Sequence, residues 1–210
     1  MGDEKDWDFA TETLKAAVEE MGKDYIINEG DGAFYGPKLD FHLADSLGRT
    51  WQCGTIQLDM QMPERFELEY VGEDGQKHRP VMIHRVVLGS IERFIGVITE
   101  HYAGAFPTWL SPVQVKLLPI TDRAAAYADQ VAAQLDEAGY RVEVDHRNEK
   151  IGKKIREAQM EKVPYMLVLG DKEQEAGMVA VRDRKDGKTV VMPLDEFIEK
   201  LSYEVENKLR

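Results

Sequence analysis

The chain has a single cysteine, Cys53, in 210 residues. That excludes an internal disulfide framework and any all-protein zinc site of the CxxC type. No stretch approaches the 18 consecutive apolar residues of a membrane span, and Met1-Gly2-Asp3-Glu4-Lys5-Asp6 is acidic where a secretory signal would be basic and then apolar. A cytoplasmic location without a membrane partner is the expectation. Proline is sparse, at 8 residues; with 43% hydrophobic and 31% charged residues, collagen-like, coiled-coil and low-complexity classes are excluded. P-loop, GxGxxG and GxSxG patterns are missing too. Nor is there an excess of positive charge, because the net charge of -12 argues against a polyanion partner.

The distribution of charge points the other way. Residues 1–110 hold 10 Lys+Arg against 20 Asp+Glu, whereas residues 111–210 hold 17 against 19. Within the second half, Arg147, Lys150, Lys153, Lys154, Arg156 and Lys162 face only Glu149, Glu157 and Glu161, a local basic patch on an acidic protein.

The two prolines of Phe106-Pro107-Thr108-Trp109-Leu110-Ser111-Pro112 forbid a continuous helix and predict a connector, so the chain divides into domains 1–110 and 111–210. The second reads as α/β. Val113–Ile120, Tyr140–Asp145 and Tyr165–Leu169 are strands; helices run from a cap at Thr121 or Asp122 to Gly139 and from Lys150 to Glu161. Met178–Arg182 and Thr189–Met192 flank the turn Asp186-Gly187, and Pro193 opens a last helix. A five-stranded mixed sheet with three helices follows, its first three strands parallel. The first half predicts a helix over Trp7–Met21 and antiparallel strands Leu39–Leu43, Trp51–Met60 and Val81–Ile83. A helix capped by Ser90 comes next, with Ile91, Phe94, Ile95, Ile98 and Tyr102 on its buried stripe. That sheet needs further strands to close a core.

Arg93 lies about opposite this stripe. It reads either as a solvated arginine or as a cation near a helix N-terminus, where backbone N–H groups and guanidinium favour a phosphate. Gln52 and Gln57 interrupt a strand that should be buried, and their amides need neighbouring backbone or a ligand as partners. Strict alternation sets them on opposite faces, so they share a pocket only if Gly54 marks a bulge. His84 ends an apolar run; a lone histidine is more often structural than a ligand, since a catalytic zinc needs three protein ligands. Gly30–Lys38 is a loop from which Asp31, Phe34, Tyr35 and Lys38 project.

GDGAFYGPK (30–38), WQCGTIQLD (51–59), PVMIHRVVLGSIER (80–93), RNEKIGKKIR (147–156) and VPYMLVLGDKE (163–173) together resemble the threonyl-tRNA synthetase family, over essentially the full length. The third segment is similar to motif 3 of class II synthetases. The resemblance implies an α/β (α+β) fold class: part of the antiparallel class II catalytic sheet, then a mixed-sheet anticodon-binding domain. It implies ligation of threonine to its tRNA at the expense of ATP with Mg. Arg93 would hold the ATP phosphates, Gln52 would sit beside the adenylate, and Tyr35, Lys38 and Gln57 would line the threonine pocket. His84 would be one of three zinc ligands. For the anticodon it implies Asn148, Arg156, Glu173 and Arg182 as base readers, Ile120 packing beside a base, and Lys150, Lys153 and Lys154 on phosphates. Each lysine could equally belong to a solvated helix face. The family's motifs 1 and 2 and its other zinc ligands have no counterpart here. The expectation is therefore a C-terminal part that retains tRNA binding, but neither adenylation nor tight zinc, and lacks the motif 1 interface of a homodimer. The alternative is a stand-alone tRNA-binding module with no catalytic role. A small-molecule-binding protein is disfavoured because it leaves the cations of 147–162 without a partner.

Overall fold

The computed structural model describes residues 4–209, which form two compact units, the first ending at His101 and the second beginning at Tyr102. In the first, α1 (Glu4–Glu20) buries Ala10 and Val18. β1 (Lys38–Ala44) and β2 (Thr50–Asp59) are joined by a tight loop, in which Asp45 Oδ1 accepts from the backbone N–H groups of Leu47 and Arg49, both at 2.9 Å. A single helical turn, α2 (Gln61–Arg65), leads to the short hairpin β3 (Tyr70–Val71) and β4 (Lys77–His78), then β5 (Met82–Val86) and α3 (Ile91–His101). Strands β1, β2 and β5 make a three-stranded antiparallel sheet in that order.

The bulge that Gln52 and Gln57 require is present, one residue from its expected position. Phe41 pairs with Gly54 and His42 with Gln52, so Cys53 is the extra residue of β2. The α3 stripe departs from expectation: no residue of the helix is buried, and Ile91 stays 61% exposed. Ser90 does cap the helix, its Oγ accepting from the Arg93 N–H at 3.3 Å, but the apolar side is covered only in part: Phe94 and Ile98 are half-buried, whereas Ile91 and Ile95 stay exposed. Only Ala10, Val18 and Cys53 of this unit's described hydrophobic residues are buried.

The second unit contains β6 (Val115–Pro119), a 3-10 turn (Asp122–Ala124), α4 (Ala125–Glu137), β7 (Val142–Val144), α5 (Ile151–Met160) and β8 (Tyr165–Leu169). It continues with α6 (Asp171–Ala176), β9 (Met178–Asp183), β10 (Thr189–Pro193) and α7 (Leu194–Glu206). The strand order β10-β9-β8-β6-β7 is the expected mixed sheet, with β6 parallel to β7 and β8. Helix α6 is an addition to the expected elements; at six residues it is too short to show periodicity, though Gly177 closes it at φ 64°. The 3-10 turn separates α4 from Thr121, whose side chain makes no cap hydrogen bond.

One sheet face packs Val115, Leu117, Leu167 and Val181 under Leu135, Phe197 and Leu201, all buried. The other packs Leu118 and Met166 against Ala158 of α5. Each such aliphatic or aromatic side chain stabilises by about 1.5–3 kcal/mol when fully removed from water. The proline-bearing segment belongs to this unit. Gln114 Nε2 donates to the Thr108 carbonyl at 3.0 Å, Arg141 Nη2 to Ser111 at 2.8 Å and Arg184 Nη2 to Phe106 at 2.8 Å. Side-chain donors, two of them guanidinium groups, satisfy the loop's carbonyls and replace the secondary structure that the prolines forbid.

Candidate functional sites

The Cys53 bulge restores phase between Gln52 and Gln57, so one face of the three-stranded sheet gathers polar groups that simple alternation would separate. Lys38, Gln57 and His84 share a row across β1, β2 and β5, and Asp40 pairs with Thr55 in the next. Tyr35 reaches this face from the preceding loop, its OH donating to Gln57 Oε1 at 2.6 Å and its ring 5.6 Å from that of His84. Gly36 makes this possible, because a Cβ there would collide with the carbonyl of Leu58.

Asp40 receives three donors: Lys38 Nζ at 2.8 Å on Oδ2, and Gln52 Nε2 at 2.7 Å and Thr55 Oγ1 at 2.5 Å on Oδ1. Burial pushes its carboxyl up, but these donors outweigh it and hold it below the usual range. Asp59 is fully buried, and burial again opposes ionisation; His84 Nε2 at 2.8 Å and the backbone N–H groups of Met62 and Gln61 hold it low. With Nε2 assigned as the donor, His84 Nδ1 is the nitrogen with a lone pair to offer. Among the described residues, no three His, Cys, Asp or Glu groups are placed to hold a metal. One imidazole does not make a zinc site.

Arg93 folds back over β2. Its Nη1 donates to the Gln52 carbonyl at 3.3 Å, and its guanidinium lies 5.8 Å from the Trp51 ring. It is exposed and adjacent to the Gln52 end of the polar face.

In the second unit the chain passes from β6 to β7 on one side, then returns across β6 to β8. The loops leaving the carboxyl ends of β6 and β7 therefore diverge, which is where open α/β sheets bind ligands. A cleft of about 270 Å³ opens there, lined by Ile120, Thr121, Asp122, His146, Arg147, Asn148 and Lys154 among others. Ile120 is 43% exposed. Gly170 passes so close beneath it that a Cβ would stand 2.9 Å from Ile120 Cδ1, and Glu173 Oε2 accepts from the Gly170 N–H at 2.9 Å.

Ile120, Asn148 and Lys154 thus come together, with Glu173 beside Ile120. Arg156 and Lys150 are exposed on and before α5, outside the cleft lining, and Lys153 is engaged with Glu149 at 2.5 Å. Lys154 is set apart from the expected phosphate-binding lysines by burial. Its Nζ donates to the carbonyls of Pro119 at 3.1 Å and Asp145 at 2.9 Å, tying β6 to β7 at the cleft floor. Arg182, on β9 between Met166 and Thr189, has a buried Nε with no hydrogen-bond partner. The sequence does not single out Asp40, Asp59 or His146 as site residues, whereas Arg147 is the first cation of the basic patch. Only the Lys38/Asp40 alternation could point to one of them.

Residues 5–102 match the family described as tRNA synthetase class II core domain (G, H, P, S and T), and residues 114–204 match Anticodon binding domain. The threonine–tRNA ligase of Clostridium botulinum is 65% identical over 208 residues, and that of Acetivibrio thermocellus is 67% identical over the same length. The chain belongs to the threonyl-tRNA synthetase family. It combines the end of a class II core with an anticodon-binding domain, and spans 33% of the length of those two ligases while 99% of it is matched. A solved RNA-binding domain of threonyl-tRNA synthetase from Cryptosporidium parvum superposes with a TM-score of 0.89 at 44% identity, over 97% of this chain and 52% of that one. Among the described residues, no helix is long and apolar enough to cross a membrane.

Proposed function

We propose that the chain is the anticodon-reading and amino-acid-recognising part of a cytoplasmic threonine–tRNA ligase, and that these 210 residues alone bind the tRNA of threonine without forming threonyl-adenylate. The observation carrying this is the switch-point cleft, in a unit that matches an anticodon-binding domain and is floored by Lys154 and walled by Ile120 and Asn148. An anticodon is single-stranded, so its bases can enter such a cleft edge-on while cations hold the backbone. Ile120 offers an apolar surface to a base, and Asn148, Glu173, Arg156 and Arg182 offer donors and acceptors to base edges. Lys150 and Lys153, both exposed, would hold the phosphates of the bound strand.

In the whole synthetase, Tyr35, Lys38 and Gln57 line the threonine pocket, Gln52 sits at the adenylate and Arg93 steadies the phosphates of ATP with its Mg. His84 supplies one of three zinc ligands there; these residues alone do not complete the site, and zinc binding by the isolated chain is not proposed. The first unit's partly exposed α3 stripe and small core fit a surface that the remainder of a homodimeric synthetase covers.

Titrating the chain with the tRNA of threonine at two salt concentrations tests this. Saturable binding that weakens when an anticodon base is changed is the expected result. Absence of a saturable signal at low salt would refute tRNA binding, and robust threonine-dependent ATP–pyrophosphate exchange by the isolated chain would refute the second half of the proposal.

A further inference from the structure

Asp40 stands at the junction of two groups of residues that the proposed ligase function assigns to different substrates. Its two carboxylate oxygens are used separately: Oδ2 takes the Lys38 ammonium at 2.8 Å, whereas Oδ1 takes Gln52 Nε2 at 2.7 Å and Thr55 Oγ1 at 2.5 Å. Lys38 and Asp40 are i and i+2 on β1 and therefore share a face. Gln52 reaches the same carboxylate only because the Cys53 bulge turns it there. The site is sheltered, since the Lys38 and Asp40 side chains retain 17% and 14% of their exposure. A long lysine and a glutamine each lose several rotamers when held in place, and a charge-assisted acceptor in a half-buried site supplies what holds them. Asp31 also approaches Lys38, but at 3.5 Å and more exposed, so it does not replace Asp40.

We propose that Asp40 is a positioning residue of the ligase site, one oxygen orienting Lys38 toward threonine and the other orienting Gln52 toward the adenylate. The proposal rests on the ligase function proposed for the whole synthetase. It makes the two arms separable by substitution. In Asp40→Asn the amide oxygen can stay at the Oδ1 position and keep Gln52 and Thr55, while the NH2 group faces the Lys38 ammonium donor to donor and breaks that arm alone. In Asp40→Ala both arms are lost.

The test is threonine-dependent ATP–pyrophosphate exchange by a full-length threonyl-tRNA synthetase containing this region. Asp40→Asn is expected to raise the KM for threonine at least fivefold while the KM for ATP stays within twofold of the wild type. Asp40→Ala should raise both, and Asp40→Glu, which keeps the charge on a longer reach, should recover part of the threonine KM. Thermal melts identify any variant that fails to fold; if Asp40→Ala does, the isosteric Asp40→Asn decides alone. Wild-type-like KM values in Asp40→Asn, a fall in kcat with no change in either KM, or an equal rise in both KM values for Asp40→Asn overturns the proposal. A wild-type enzyme without exchange activity overturns instead the ligase function on which it rests, and this inference falls with it.

Discussion

Replacing Lys154 by Met separates the structural role of that lysine from the phosphate-binding role its sequence neighbourhood suggests. Methionine keeps the unbranched, buried stem of this α5 residue and removes the ammonium, which leaves the carbonyls of Pro119 and Asp145 without their donor. An orphaned buried acceptor costs about 1–3 kcal/mol. The cleft opens to solvent, so water can rehydrate both carbonyls in part, and the low end applies to each, for a total of about 2 kcal/mol. Amides of β6 and β8 report global opening of the second unit, and at that cost they should exchange about 30-fold faster than in the wild type. For a domain of this size the melting temperature should fall by about 10 °C. The binding of tRNA to the folded variant should keep its salt slope. Lys153→Ala should do the reverse: its ammonium is half exposed and pairs only with surface carboxylates, so exchange rates should not change while the salt slope flattens by about one ion. Exchange within threefold of the wild type for Lys154→Met, together with a flattened salt slope, would refute the structural assignment and return Lys154 to the phosphate backbone.

The same cleft predicts an acid transition. Hydrogen bonds from Arg147 hold the Asp145 carboxyl down at about 2, against the opposing effect of burial. A depressed carboxyl stabilises the fold above its unfolded pKa and loses that contribution as the pH falls from about 4 to 2; screened by the half-exposed Arg147, it is worth about 1 kcal/mol. Urea midpoints of the second unit should drop over that window and flatten in Asp145→Asn; an unchanged profile in the variant would show that another group titrates. Gly89 has φ 66°, and a Cβ on it would stand 2.5 Å from the Cys53 carbonyl. Gly89→Ala should therefore displace the start of α3 and lower the fluorescence-detected contact of Arg93 with Trp51, whereas an unaltered tryptophan spectrum would count against that path. Arg182→Ala should weaken binding of the tRNA of threonine more than that of other tRNAs; equal weakening of all would make it a backbone contact.

Much of the second unit can be read from its residues, because its signals are local. Tyr165–Leu169 forms a strand buried on both faces, and Pro193, expected to open the last helix, ends β10 in an extended conformation immediately before α7 begins at Leu194. Helix α6 and the β3–β4 hairpin escape such a reading because six and two residues hold too few repeats to show a period. Of the first site, the need of Gln52 and Gln57 for partners is legible, but not the identity of those partners.

What the sequence determined alone is therefore order, type and family: local periodicity and long motifs need no knowledge of what lies opposite. What only the tertiary structure decided depends on pairing across distant segments. The one-residue register slip at Cys53 puts Gln52 and Gln57 on one face and brings Gln52 to the Asp40 Oδ1 that Thr55 also reaches. Burial of Lys154 at the junction of β6 and β7 turns a basic residue of an exposed-looking helix into a clamp. Charge and spacing along a chain are the same in either case; which water-exposed volume the neighbouring strands remove is a property of the packed sheet.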